Sequence, residues 1–403
     1  MLRKWLLLGL VLAGVLLCPV VVWAADDVAA LLERANAHLK GQKYSEAEEL
    51  YEQILATVPA DSNEALTAGR QLLRVYIATE KQAKADAAFE SLIVDCATHE
   101  DLPEAIWRIG RAYLTAGKHD KAVQIHQYNV EHHASHKQAM WSQVGIFRSC
   151  FRRGDNAGAD AAVDTLLRVF AGQPTLPKEI HQIAYRYDNK ANREDKALEL
   201  WRYNVAHFPN DEYAMRSQVR IVFSHIKDWD DASADAAVER LVSVFSEQPA
   251  LPEQIRRVAE RCEKARMVEE ALEMHAYNVK NFPESPEAMA SQLEIIDHYL
   301  EGGNPSVAAS ETDKLLRVFS QQKGLAGKVY EVAGRLGEAG NVDDAIRLYE
   351  YNVDNFAEDA NSLLSQVEIA YANIERKDEA GIDAAVEKLV TAFAGREGLT
   401  SQW

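Results

Sequence analysis

Five histidines crowd one stretch of the chain, His119, His126, His132, His133 and His136. Imidazole nitrogens are common metal ligands, and a site needs three or four of them, or of their carboxylate and thiolate equivalents, converging on one point. Their spacing argues otherwise. His126 stands where Tyr51, Trp201, His275 and Tyr349 stand at equivalent positions, a slot for one large packed side chain. His136 lies past the helix end that Pro59, Pro209 and Pro283 mark elsewhere. Asp228 to Glu239 has acids at positions 1, 3 and 12 of a calcium loop. Ala232 and Ser233 stand where a ligand and the required glycine belong, so a turn and helix start is the better reading. Gly334, Gly337 and Gly340 follow no strand, which rules out a phosphate cradle. No HExxH, GxSxG or paired zinc-cysteine spacing occurs. The sequence therefore predicts no catalytic residue, no metal and no cofactor.

The residues that do recur carry no chemistry of their own. Tyr-Asn-Val returns at Tyr128, Tyr203, Tyr277 and Tyr351, at spacings of 75, 74 and 74, and Ser-Gln follows each at Ser142, Ser217, Ser291 and Ser365. Phe170, Phe245, Phe319 and Phe393 close a later apolar segment, with Cys96 in the earlier slot. Leu102, Leu176, Leu251, Leu325 and Leu399 mark the junctions, and Pro103, Pro177 and Pro252 suit the first turn of a helix. The units read as 28–102, 103–176, 177–251, 252–325 and 326–399, with 400–403 beginning an incomplete sixth. Asn129, Asn204, Asn278 and Asn352 sit at half-buried positions, where an amide must find partners or cost stability. They are expected to form a polar ladder fixing register, against the alternative of a ligand-facing row.

Within a unit the apolar residues keep helical spacing, as at Met140, Val144, Phe147 and Phe151, and Gly154-Asp155-Asn156 or Gly340-Asn341 separate helices. Four helices per unit, as two antiparallel hairpins, give an all-α protein. With only 20 Gly and 11 Pro in 403 residues, helix breakers are few. The formal charge of −18 disfavours nucleic acid and anionic membrane surfaces. At the N-terminus, Arg3 and Lys4 precede an apolar run, and Val22 and Ala24 are small enough for signal-peptidase cleavage. Residues 1–24 are thus expected to be a signal peptide. The alternative is an inner-membrane anchor over 5–23, which would be the chain's one membrane contact. Cys96, Cys150 and Cys262 then remain, too few and too scattered for a disulfide framework, and are assigned to the core.

The first hairpin of each unit resembles the tetratricopeptide repeat, most clearly at Ala35, Tyr44, Ala47, Tyr51 and Pro59. Small residues stand where two helices cross: Ala35, Gly110, Ala184, Ala259 and Ala333 on the first, and Ala47, Ala122, Ala197, Ala271 and Ala345 on the second. Tyr113 and Tyr187 fill the family's aromatic slot, which Cys262 and Leu336 vary. The second hairpins lack the signature. The resemblance implies a right-handed α-solenoid of five units and a non-enzymatic scaffold, exported to the bacterial periplasm or envelope, that binds a protein or peptide partner along a concave face. It places Trp107, Arg111, His181, Tyr185, Arg256, Glu260 and Tyr330 on that face, where alternating charges suggest a mixed-charge peptide. The family's carboxylate clamp does not carry over, because Leu32 replaces its first lysine beside a matching Asn36. Two other functions fit the same pattern, a polysaccharide-handling envelope protein and the repeat region of a larger enzyme. Leu399 to Trp403 would open a sixth unit without a polar cap, an end expected to continue or to dock on a partner.

Overall fold

The computed structural model describes residues 25–393, so the expectations for the leader segment and for Leu399 to Trp403 lie outside the described residues. Those residues divide into two compact units, with the boundary in the chain between Leu176 and Pro177. The first holds α1 (Ala25–Lys40), α2 (Tyr44–Thr57), α3 (Asn63–Ala78), α4 (Gln82–Asp95), α5 (Leu102–Thr115), α6 (His119–His132), α7 (Lys137–Arg153) and α8 (Asn156–Val169). The second holds α9 (Leu176–Ala191), α10 (Glu194–His207), α11 (Glu212–Lys227), α12 (Asp231–Val244), α13 (Leu251–Lys264) and α14 (Val268–Asn281). It continues through α15 (Pro286–Glu301), α16 (Pro305–Val318), α17 (Leu325–Glu338), α18 (Val342–Asn355), α19 (Ala360–Arg376) and α20 (Glu379–Phe393). Among the described residues every regular element is a helix. The fold is all-α, a series of helical hairpins.

Local chemistry starts and stops these helices. Ser62, Asp211, Ser285 and Asp359 each accept a backbone N–H of the turn that follows, at 3.1, 2.7, 3.1 and 2.9 Å, which opens α3, α11, α15 and α19. Pro103 and Pro252 sit in the first turns of α5 and α13. Gly154 closes α7 in the left-handed conformation at φ 77°. Asp230 caps α12 through the backbone N–H of Ser233, so the calcium-like stretch is a turn and a helix start.

Odd-numbered helices pack side by side within a unit, α1, α3, α5 and α7 in the first and α11, α13 and α15 in the second. Even-numbered helices pack back on the helix before them, as α2 on α1, α6 on α5, α14 on α13 and α18 on α17. The crossing alanines Ala35, Ala47, Ala122, Ala184, Ala197 and Ala259 are fully buried, which lets the helix axes approach and larger neighbours interlock. Cys96, Cys150 and Cys262 are buried free thiols, and burial pushes Cys96 and Cys262 up to about 11.

The recurring asparagines are the struts between hairpins. Asn129 is fully buried, and its Nδ2 donates to the Pro103 carbonyl at 2.9 Å and to the Ser142 hydroxyl at 2.8 Å. Asn204 does the same with Pro177 and Ser217 at 2.9 and 3.0 Å. Asn278 reaches Pro252 and Ser291, and Asn352 reaches Ala326 and Ser365. The glutamine after each serine ties α7, α11, α15 and α19 to the backbone of the next helix, at Ala162, Ala237, Glu311 and Ala385. Tyr-Asn-Val and Ser-Gln are thus two halves of one bracket. It holds a first hairpin to the second, and at zero exposure the ligand-facing alternative for these amides falls.

Candidate protein-docking face

Charge is sorted by layer. In the first unit α3, α5 and α7 each carry more Lys and Arg than Asp and Glu, whereas α2, α4, α6 and α8 carry the reverse. In the second unit α9, α11 and α13 are basic by the same measure, and α10, α12 and α14 are acidic. Among the described residues the acidic excess therefore sits on those even helices, on α1, where Asp26, Asp27 and Glu33 outnumber Arg34 and Lys40, and on the last helices, while each unit keeps three basic odd helices. At α15 the odd layer changes sign, with Glu287, Glu294, Asp297 and Glu301 and no Lys or Arg.

Within the second unit this face opens into two adjoining clefts. One, of about 540 Å³, is lined by His181, Tyr185, Arg186 and Lys190 of α9, Tyr213, Arg216 and Arg220 of α11, and Arg257 of α13. The other, of about 500 Å³, shares Arg220 and Arg257 and adds Trp201, Lys227, Glu260, Arg261 and Lys264. Across both, eight basic side chains face three acidic ones, Asp188, Glu194 and Glu260. Two of those acids are already engaged. Glu194 accepts from Lys227 at 2.6 Å and from Ser224, and Glu260 pairs with Arg256. Among the described residues no ion pair forms at Arg220, whose guanidinium lies 4.7 Å from the centre of the Tyr185 ring. Burial, and then the like charge of Arg257, press the Arg220 guanidinium below its usual value, partly offset by Tyr185. Arg257 donates only to Gln254, at 3.0 Å. His181 rests its Nδ1 on Ser217 Oγ at 3.1 Å, and burial followed by the Arg220 charge lowers it to about 4, so it is neutral at neutral pH.

The residues singled out from the sequence separate into four places. His181 and Tyr185 stand together in the first cleft, with Tyr185 42% exposed. Glu260 lines the second, and Arg256 is its ion-pair partner on the same helix. Trp107 and Arg111 lie on α5 in the first unit, with the guanidinium 4.9 Å from the ring centre. Tyr330 packs beside Tyr349, and its hydroxyl donates to Glu368 at 3.3 Å. Arg220 and Arg257, which join the two clefts, escaped the repeat reading. Arg220 fills a slot held by Gly145, Glu294 and Glu368 in other units, and a search for recurrence passes over a position that changes. The alternation of net charge from helix to helix is the signal that finds it.

The histidine cluster disperses. His126 is enclosed between α5 and α7, where a side-chain carbon on Gly110 or Gly145 would lie 2.4 Å from its ring. Burial lowers it to about 3, with Arg148 and Arg111 adding to the effect. His132 stacks on Tyr128 with ring centres 4.0 Å apart, and His136 accepts the Gln138 N–H at the start of α7.

Comparison with known proteins agrees with this architecture. The tetratricopeptide repeat family model matches residues 29–60, which places a repeat of that family on α1 and α2. No curated protein matches the chain. Solved structures with similar helices include a Podosopora anserina putative kinesin light chain with nearly identical TPR-like repeats, 21% identical. It covers 45% of this chain and 95% of its own, with a TM-score of 0.32. The TPR domain of P58(IPK) is 15% identical over 92% of this chain and all of its own, at 0.22. A tetratricopeptide repeat protein of Parabacteroides merdae is 13% identical over 62% and 98%, at 0.30. The fold rests on the helices themselves and on the matched repeat.

Proposed function

We infer that this chain, which carries a tetratricopeptide repeat at its start and stacked helical hairpins beyond it, is a non-enzymatic scaffold that binds protein partners on its odd-helix face. The observation that carries this reading is the sorting of charge by layer. Even helices present an acidic surface, while α9, α11 and α13 gather arginines and two tyrosines around open clefts. Aromatic and Arg side chains are the commonest anchors of interfaces, because they remove much area from water at modest entropic cost. Repeated hairpins add such contacts in series.

A paired substitution tests the choice of face. Replacing Trp107, Tyr185 and Arg256 together by Ala should abolish partner capture and leave helix content and melting midpoint nearly unchanged. Replacing Tyr128, Tyr203 and Tyr277 should lower stability instead, since these half-buried rings stack on His132 and His207 and pack at a tilt against Phe282. If the second variant stays folded but loses the partner, and the first retains it, the face is reversed.

We also propose export, on the basic start, apolar run and small residues that end at Ala24. Intact mass of protein recovered from the envelope should correspond to a chain beginning at Ala25. A mass retaining Met1 contradicts cleavage and supports the anchor.

A further inference from the structure

The paired clefts ask for a particular kind of partner. Three side chains lining them hold a buried polar atom without a hydrogen-bond partner: Trp201 Nε1, Arg216 Nε and Arg261 Nε. All three are donors. Those three atoms are closed to solvent, and the groups that reach the clefts are eight basic side chains against three acids, two of them already paired, so the missing complement is a set of anionic acceptors.

We propose that the partner presents a short acidic polypeptide segment to these clefts. Its carboxylates are taken by Arg220, Arg257 and Arg261. The proposal rests on the odd-helix face being the docking face. Arg suits the role because its planar fork matches a carboxylate with two parallel hydrogen bonds. Tyr185 gives the segment an exposed ring to lie on beside Arg220. The length of the basic patch separates a peptide from a nucleic acid. Duplex DNA carries a charge every ~1.7 Å along its axis and needs a continuous basic track. Here the next odd helix, α15, carries four carboxylates and no Lys or Arg, and with Asp297 and Glu301 paired to Arg335 its Glu287 and Glu294 would still repel a polyanion running past α13. A segment with a few Glu or Asp side chains ends before that point.

The test titrates a fluorescein-labelled decapeptide of alternating Glu and Ser into the full chain and follows anisotropy at low and moderate salt. The same peptide with Gln for Glu and a single-stranded oligonucleotide of equal charge serve as comparisons. The Glu peptide should bind at least tenfold tighter than the Gln peptide, and its affinity should fall as salt rises. R220Q/R257Q should weaken it tenfold or more, while Arg347→Gln, which removes ion pairs to Asp313 and Asp344 on the other layer, should not. If the double variant melts early, R257Q alone at its half-buried position supplies the same comparison. Equal binding of the Glu and Gln peptides, binding of neither, parental affinity in R257Q, or tighter binding of the oligonucleotide each overturns the proposal. Capture of a partner that survives R220Q/R257Q but is lost on replacing Trp107, Tyr185 and Arg256 would overturn the acidic segment alone. Capture that survives both would overturn the docking face.

Discussion

Gly110 and Gly145 hold the most exacting contact of the first unit, and a cycle of substitutions with His126 should reverse in sign. A Cβ on Gly110 would lie 2.4 Å from His126 Cε1 and 2.6 Å from Nδ1, and one on Gly145 would lie 2.4 Å from Nε2. Ordinary van der Waals contact begins at 3.4 Å, so each added carbon overlaps the ring by about 1 Å. The ring is pressed from both sides and is fully buried, so it cannot step aside. Overpacking of that kind costs about 1–3 kcal/mol, and this site belongs at the upper end. Gly→Ala within a helix returns roughly 1 kcal/mol through backbone entropy. Gly110→Ala or Gly145→Ala should therefore cost about 1–2 kcal/mol with His126 in place. In a His126→Ala background the overlap is gone, and the same substitutions should stabilise by up to about 1 kcal/mol. The coupling is then about 2–3 kcal/mol, well above the ~0.5 kcal/mol expected of independent sites. Native-state hydrogen exchange of peptides from α5 to α7 reads the effect locally. Additive effects would show that the glycines are not there for the imidazole.

Asn204→Ala or Asn278→Ala should each cost about 1–3 kcal/mol in urea unfolding, since both remove a strut and leave the Pro177 or Pro252 carbonyl and a serine without the amide donor. An unchanged midpoint would show that the bracket does not hold the hairpins together. Ala122→Leu or Ala271→Leu should overpack a crossing by roughly 1–3 kcal/mol, and unchanged melting in both would contradict the assigned register. Acid should destabilise the fold through its histidines. His126 and His181 fall from 6.5 to about 3 and about 4, so the folded state favours the neutral ring. Their contribution is complete above pH 6.5 and is lost as pH falls toward those values. The urea midpoint of His126→Leu should vary less between pH 7 and 5 than that of the parent. Equal slopes would remove His126 from this account.

What the sequence disclosed depended on whether a residue repeats. Asn129 and Ser142 recur at fixed spacing because every hairpin junction needs the same donor and acceptor, so recurrence alone exposed the bracket. Cys96 in a phenylalanine slot and Gly340 in a turn were legible for the same reason. Arg220 and Arg257 were not, because a binding surface varies between copies while the packing beneath it is kept. The family resemblance points to Arg256 and passes over Arg257. Only the structure shows that Arg256 turns to Glu260 while Arg257 enters both clefts. Gly145 was missed as well, since its partner His126 lies on another helix and no spacing links the two.

The central claim is that partners dock on the odd-helix face at α9, α11 and α13. A photo-cross-linking amino acid in place of Tyr185 samples that face directly, and the same group in place of Tyr203 on α10 samples the other layer. The account predicts that position 185 cross-links the partner through an acidic segment and that position 203 yields little product. Cross-linking from 203 with none from 185, in chains of equal helix content, would contradict it.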